Sequence, residues 1–276
     1  MAEEQAVPDP AEERSLGKMS FMEHLGELRS RIMWSLISAA GGLVIAVFIT
    51  DRVMQFISRP LVGLKTELVF TSPTEAFWTW MKVAMVLAIF IAMPAILYQV
   101  WKFVSPGLHQ HEKKYAWPFI IVGSLLFLIG GAFAMLVIIP YASNFLVTFG
   151  QEKGWKPMIT VSSYTDFVIK FALAFGLVFE LPVVITILSL IGIVTPQFLS
   201  KNRKYAILIN FILAAVLTPT PDMINQILMA GPLCILYEIG ILCARLAVRK
   251  RKTTAPPTPV ATTVASLRLT MRRRPP

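Results

Sequence analysis

Apolar runs long enough to cross a bilayer recur along this chain and fix the solvent it folds in. A membrane helix needs about 20 mostly apolar residues. Four runs meet that length, at 32–49, 77–101, 119–141 and 167–191. Two shorter ones, 205–217 and 223–246, flank a Thr-Pro-Thr-Pro-Asp segment. The fold class that follows is all-α: a polytopic membrane protein with six transmembrane helices. Composition agrees, since only 15% of residues are charged and 55% are hydrophobic, where soluble domains carry about 25% charge.

The short pair reads as a hairpin, because its two prolines lack the N–H that a helix needs and clash with the preceding turn. Its first arm offers about 20 Å of helix against a hydrocarbon core near 30 Å. It stands nearly upright or thins the bilayer around it; a re-entrant loop is the competing reading. Pro232 is expected to kink the last helix and Pro182 the fourth.

Charge sets the orientation. Cytoplasmic loops collect Lys and Arg. With the N-terminus inside, nineteen fall on the inner side, among them Arg29, Arg31, Lys102, Lys113, Lys114, Arg203 and the run from Arg245 onward. Five fall in the outer loops, Arg52, Arg59, Lys65, Lys153 and Lys156, and Lys82 and Lys170 lie near helix starts on the outer side. Both termini are therefore expected in the cytoplasm. The start of the chain is acidic (Glu3, Glu4, Asp9, Glu12, Glu13), unlike a cleaved signal peptide, which begins basic. Residues 1–17 read as a flexible acidic extension, 18–248 as the membrane domain and 249–276 as a disordered basic tail. The net charge of +10 does not point to nucleic acid, because no basic patch is interleaved with stacking aromatics. The tail's charge suits membrane lipids or a topology anchor. Cys234 and Cys243 lie nine positions apart on one apolar run, too far for a disulfide on a helix.

No enzyme signature is present: no HExxH, no GxSxG and no phosphate-binding glycine loop. His109 and His111 have no further ligand cluster, so neither a metal nor another cofactor is expected. Three other features carry chemistry. Residues 21–32, FMEHLGELRSRI, put Glu23, Glu27, Arg29 and Arg31 at the foot of the first span. Glu27 and Arg31 are i, i+4 partners, consistent with an interfacial amphipathic helix. Two carboxylates there face repulsion from anionic lipid, which a cationic partner relieves. The next inner loop carries Ser-Pro-Gly, which forces a turn and presents Phe103 and Glu112 back toward the first helix. Third, Glu180 sits inside an apolar span. An ionisable group at that depth costs about 2.5–3.5 kcal/mol on insertion scales, so a functional role is the default; a structural glutamate bonded to a neighbouring helix is the alternative. A solute transporter built on Glu180 is a second functional reading, disfavoured by the lack of internal repeats.

Taken together, FxxHLxELRxR (21–31), FVSPGL then HEKK (103–114), FGxxFExP (175–182), LTPTPDxxxQ (217–226) and YEIG (237–240) resemble the TatC family, the receptor subunits of twin-arginine protein translocases. The resemblance covers about residues 18–246. It implies a glove-shaped six-helix bundle with short fifth and sixth helices in the bacterial inner membrane. It implies recognition of Arg-Arg signal peptides on folded cargo, recruitment of TatA-like and TatB-like single-span proteins, and a homo-oligomer within the complex. Transport in that family is driven by the proton-motive force, without an enzymatic step of its own. Residue by residue, Glu27 and Glu112 match the positions that meet the twin arginines, and Arg29 and Phe103 match others of that site. Glu180 matches the family's intramembrane glutamate. Thr218 and Gln226 match polar positions where a partner's span docks. The hairpin here is TPTPD where family members carry the shorter TPPD, and Lys113 and Lys114 stand where many carry arginines.

Overall fold

The computed structural model describes residues 21–64, 66–105, 116–217 and 223–254. Its helices are α1 (Phe21–Gly63), α2 (Pro73–Val104), α3 (Ala116–Phe133), α4 (Ile139–Glu152), α5 (Val161–Phe179), α6 (Leu181–Ile191), α7 (Pro196–Lys201), α8 (Arg203–Leu217) and α9 (Met223–Thr254). Among the described residues, five continuous stretches are long and apolar enough to cross a membrane: α1, α2, α3 with α4, α5 with α6, and α9. The 15-residue α8 is about 22 Å long, short of the hydrocarbon core, as its sequence required. With α8 as the short fifth span, the architecture is the six-helix bundle expected.

Two helices outrun their apolar runs. The first was expected to end near Ile49, yet α1 continues through Gly63. The reason is local: residues 50–59 contain neither glycine nor proline, and Thr50 donates to the Ala46 carbonyl at 2.7 Å without leaving the helix. Likewise, residues 249–254, which composition places in the tail, are the last turns of α9. Nothing in that sequence stops a helix before Pro256.

Prolines shape the other long spans. Pro140 cannot donate to the Leu136 carbonyl, and the turn before it widens into a π-helical segment, Ala134–Ile138, with the Ile139 N–H reaching Ala134. Pro182 cannot donate to Val178. The fourth span therefore breaks at Glu180, whose N–H turns to Leu177 at 3.1 Å and whose carbonyl takes Val183 and Val184.

Packing follows the order of the spans. α1 lies mainly along α2, α3 on α5, and α9 on α6 and α8. At the end remote from Phe21 and Thr254, Leu68–Val69 pairs in parallel with Ile159–Thr160. The same end is laced by polar contacts: Trp80 Nε1 to Asp51 (2.7 Å), Tyr164 Oη to the Ile57 carbonyl (3.1 Å), and the Ser162 N–H to Glu75 (3.0 Å). Lys82 pairs with Asp166 and reaches Ser162. The main core, including Ile57, Leu61, Phe171 and Phe175, lies under that lacing. The opposite end, where the chain enters and where most cations lie, carries the predicted site.

Candidate functional site

At the foot of α1, Glu27 and Arg31 form the i, i+4 pair that their spacing predicts, 2.8 Å between Arg31 Nη2 and Glu27 Oε1. Both side chains are largely covered, 25% exposed for Arg31 and 16% for Glu27. The pair is incomplete. Glu27 Oε2 and Arg31 Nε are buried without a hydrogen-bond partner, where a fork-to-fork pair engages both oxygens. Arg29, two positions from each of them, lies on the opposite side of the helix and is exposed.

One turn before Glu27, the His24 ring stacks on Phe103, with centroids 4.6 Å apart and planes 21° from parallel. Phe103 lies in the last turn of α2. The contact brings the foot of α1 against the end of the second span, the approach expected for Phe103. Sequence reasoning named Phe103 but not its partner; His24 stood in the motif, and ring against ring at converging helix ends was the signal available. Glu112 lies outside the described residues, as do His109, His111, Lys113, Lys114 and Thr218.

Deeper in the bundle, Glu180 is 6% exposed at the α5–α6 break. Its carboxylate lies over Gly123 of α3: a Cβ there would stand 3.1 Å from Oε2 and 2.7 Å from the Leu97 methyl. Glycine at 123 makes the room. Glu180 Oε1 is buried with no hydrogen-bond partner. Glu180 therefore lacks the bond to a neighbouring helix that would make it a satisfied structural residue at that oxygen. It is carried by a different span from Glu27 and held by different neighbours.

Gln226, in the first turn of α9, donates from Nε2 to the Phe211 carbonyl of α8 at 3.2 Å. Asn210 points across the same helix pair, 3.6 Å from Cys234 Sγ. Among the described residues no group of three or more His, Cys, Asp or Glu is placed to hold a metal ion, and both cysteines are free thiols. Links that the sequence did not announce lie at both ends of the bundle. Lys82 with Asp166 joins α2 to α5. Arg203 with Glu238, at 2.7 Å, joins α8 to α9, beside Tyr237 Oη on the Leu199 carbonyl at 3.0 Å. Each pair is far apart in sequence, so periodicity within one helix carries no sign of it.

Comparison with known proteins places this geometry. Residues 23–232 match the family model described as Sec-independent protein translocase protein (TatC). The TatC of Carboxydothermus hydrogenoformans is 46% identical over 227 residues, spanning 82% of this chain and 93% of that protein. The Aquifex aeolicus TatC is 38% identical, spanning 85% of this chain and 98% of its relative. A crystal structure of the twin-arginine translocase receptor TatC superposes with a TM-score of 0.70 at 38% identity, over 82% of this chain and all of that one.

Proposed function

The chain belongs to the TatC family of Sec-independent protein translocases, and from that premise we propose that it grips Arg-Arg signal peptides of folded cargo at the foot of its bundle. It is a multi-pass membrane protein of protein transport, and a solute transporter is not favoured. In the proposed site, Glu27 and Glu112 take the two guanidiniums, while Arg29 and Phe103 shape the groove around them. The observation that carries the reading is the His24–Phe103 stack, which draws two motif-bearing segments together one turn from Glu27. Guanidinium chemistry suits the site because a planar fork matches a carboxylate in bidentate fashion and an ammonium does not.

Arg31 already holds one oxygen of Glu27. It acts as a resident placeholder, and an incoming arginine exchanges with it instead of meeting a bare carboxylate. Such exchange keeps the Glu27 carboxylate paired throughout, while the displaced Arg31 gives up its partner and so competes with the peptide. Glu180 then meets the apolar part of the peptide or a partner's span, and Thr218 with Gln226 offers the docking edge for TatA-like and TatB-like single-span proteins. The chain works as one of several copies in a complex driven by the proton-motive force. Both termini lie in the cytoplasm of a bacterium, with the basic end of the bundle at the inner face of its inner membrane. The supporting observation is the Lys and Arg excess at that end.

Binding of an Arg-Arg signal peptide to the purified full chain tests the reading. Glu27→Ala combined with Glu112→Ala should weaken it by about tenfold or more, and a Lys-Lys peptide should bind the wild type about as poorly. Equal affinity of the double variant and the wild type would reject this site.

A further inference from the structure

An arginine displaced from Glu27 needs another acceptor within reach, and the neighbouring span carries one. Gln99 lies on α2 one turn before Phe103, so the two share a helix face. Leu97 and Trp101 turn the other way, Leu97 over Gly123 of α3 and Trp101 against Phe119. Phe103 meets α1 through its stack on His24. Gln99 therefore faces α1 as well.

The two helices run antiparallel, since the start of α1 meets the end of α2 at this stack and Gly42 meets Ala88 farther in. Inward from the stack, Glu27 stands about 4.5 Å deeper on α1 and Gln99 about 6 Å deeper on α2. His24, Glu27 and Arg31 fall on one face of α1 at three- and four-residue spacing. Arg31 starts a turn deeper, but its side chain leans back toward the helix N-terminus and reaches Glu27 Oε1 at 2.8 Å. The guanidinium is thereby brought to the level of Gln99. Three polar atoms at that level are buried without a hydrogen-bond partner: Glu27 Oε2, Arg31 Nε and Gln99 Oε1. Two are acceptors and one is a donor. The closed site is short of donors, and a second guanidinium, with five N–H groups, reverses the shortage.

Building on the Arg-Arg site at Glu27, on which this inference rests, we propose that Gln99 Oε1 is the acceptor that takes Arg31 when a ligand guanidinium displaces it. Arg31 turns from one acceptor to another at the same depth, and one of its N–H groups donates to the Gln99 amide oxygen. A neutral amide holds a guanidinium less firmly than a carboxylate does, so Arg31 returns to Glu27 once the peptide leaves. Gln99 is a positioning residue: it acts on the peptide through Arg31 and does not touch it.

Dependence on Arg31 is the readout. An Arg-Arg signal peptide is titrated against the purified full chain, Gln99→Met, Arg31→Gln and the combined Arg31→Gln, Gln99→Met variant. Gln99→Met removes the acceptor at nearly constant volume and should weaken binding about fivefold. In the Arg31→Gln background the same change should have less than about a twofold effect, because no displaced arginine remains. Gln99→Asn, which keeps the amide but draws it back by one methylene, is a second variant with the same expected pattern. A loss of equal size in both backgrounds overturns the proposal in favour of direct contact with the peptide or of packing. No loss in either background overturns it as well. A peptide-free arm separates this inference from the peptide reading. Glu27→Met releases Arg31 with no ligand present, and in that background Gln99→Met should lower the melting temperature more than it does in the wild type. An equal drop in the two backgrounds overturns the transfer of Arg31 to Gln99. A larger drop in a chain that shows no Arg-Arg binding supports the transfer and rejects only the peptide site.

Discussion

Arg31 decides how the proposed peptide site works. Held on Glu27 Oε1 with its own Nε unpartnered, it both shields the carboxylate and competes for it. Arg31→Gln should therefore tighten Arg-Arg peptide binding, by up to about fivefold, the worth of a good partly exposed ion pair near 1 kcal/mol. Titration of the peptide against both proteins at low salt reads it directly; weaker binding by the variant would mean Arg31 builds the site instead of guarding it. Gly123 poses a separate residue-scale test. Gly123→Val puts carbon into the space held by Glu180 and Leu97, and overpacking of this kind costs about 1–3 kcal/mol. The variant should melt earlier than wild type in detergent, and a joint Leu97→Ala change should recover part of the loss.

Helices in lipid associate through close packing of small residues, since hydrophobicity gives them no preference for each other. Gly130 is where α3 and α5 depend on this most: a Cβ there would lie 2.4 Å from the Phe175 carbonyl oxygen and 2.9 Å from the carbonyl carbon. Backbone cannot step aside as a side chain can. Gly130→Ala should lower stability by about 1–3 kcal/mol, while Gly41→Ala, with nothing within 4 Å, should be neutral or slightly stabilising. Thermal melts of the two side by side separate packing from propensity. The break at Glu180 belongs to the same scale. Pro182→Ala returns an N–H to Val178 and should make α5 and α6 one continuous helix. We expect such a variant to melt no earlier than wild type yet to export folded cargo several-fold less, because Glu180 would turn with the straightened helix. Export at the wild-type level would show that the break serves folding alone.

Across the whole molecule the two ends divide the labour. The end remote from Phe21 and Thr254 is closed by Lys82 on Asp166, Glu75 on Ser162 and Trp80 on Asp51. The other holds the His24–Phe103 contact and the cations of α9. Asp166→Asn should cost the closed end on the order of 1 kcal/mol, because the pair is only partly exposed and Lys82 keeps Ser162 as a partner. A double-mutant cycle with Lys82→Met measures the coupling; a coupling near zero would mean the strand pair and core hold that end without it.

By itself the sequence determined that the chain lives in a bilayer, which six segments cross it, that α8 is short and that Pro182 interrupts the fourth span. These are one-dimensional consequences of apolar length and missing N–H groups. It also placed Glu27 beside Arg31, since i, i+4 contact is built into a helix. Only tertiary structure decided that His24 meets Phe103, that Gly123 opens a space for Glu180, and that Lys82 finds Asp166. Those contacts join residues on different spans. No periodicity encodes which helix faces which, because in lipid an apolar face is as comfortable against acyl chains as against a neighbour. The choice is made by shape, at the glycines and prolines where two backbones fit.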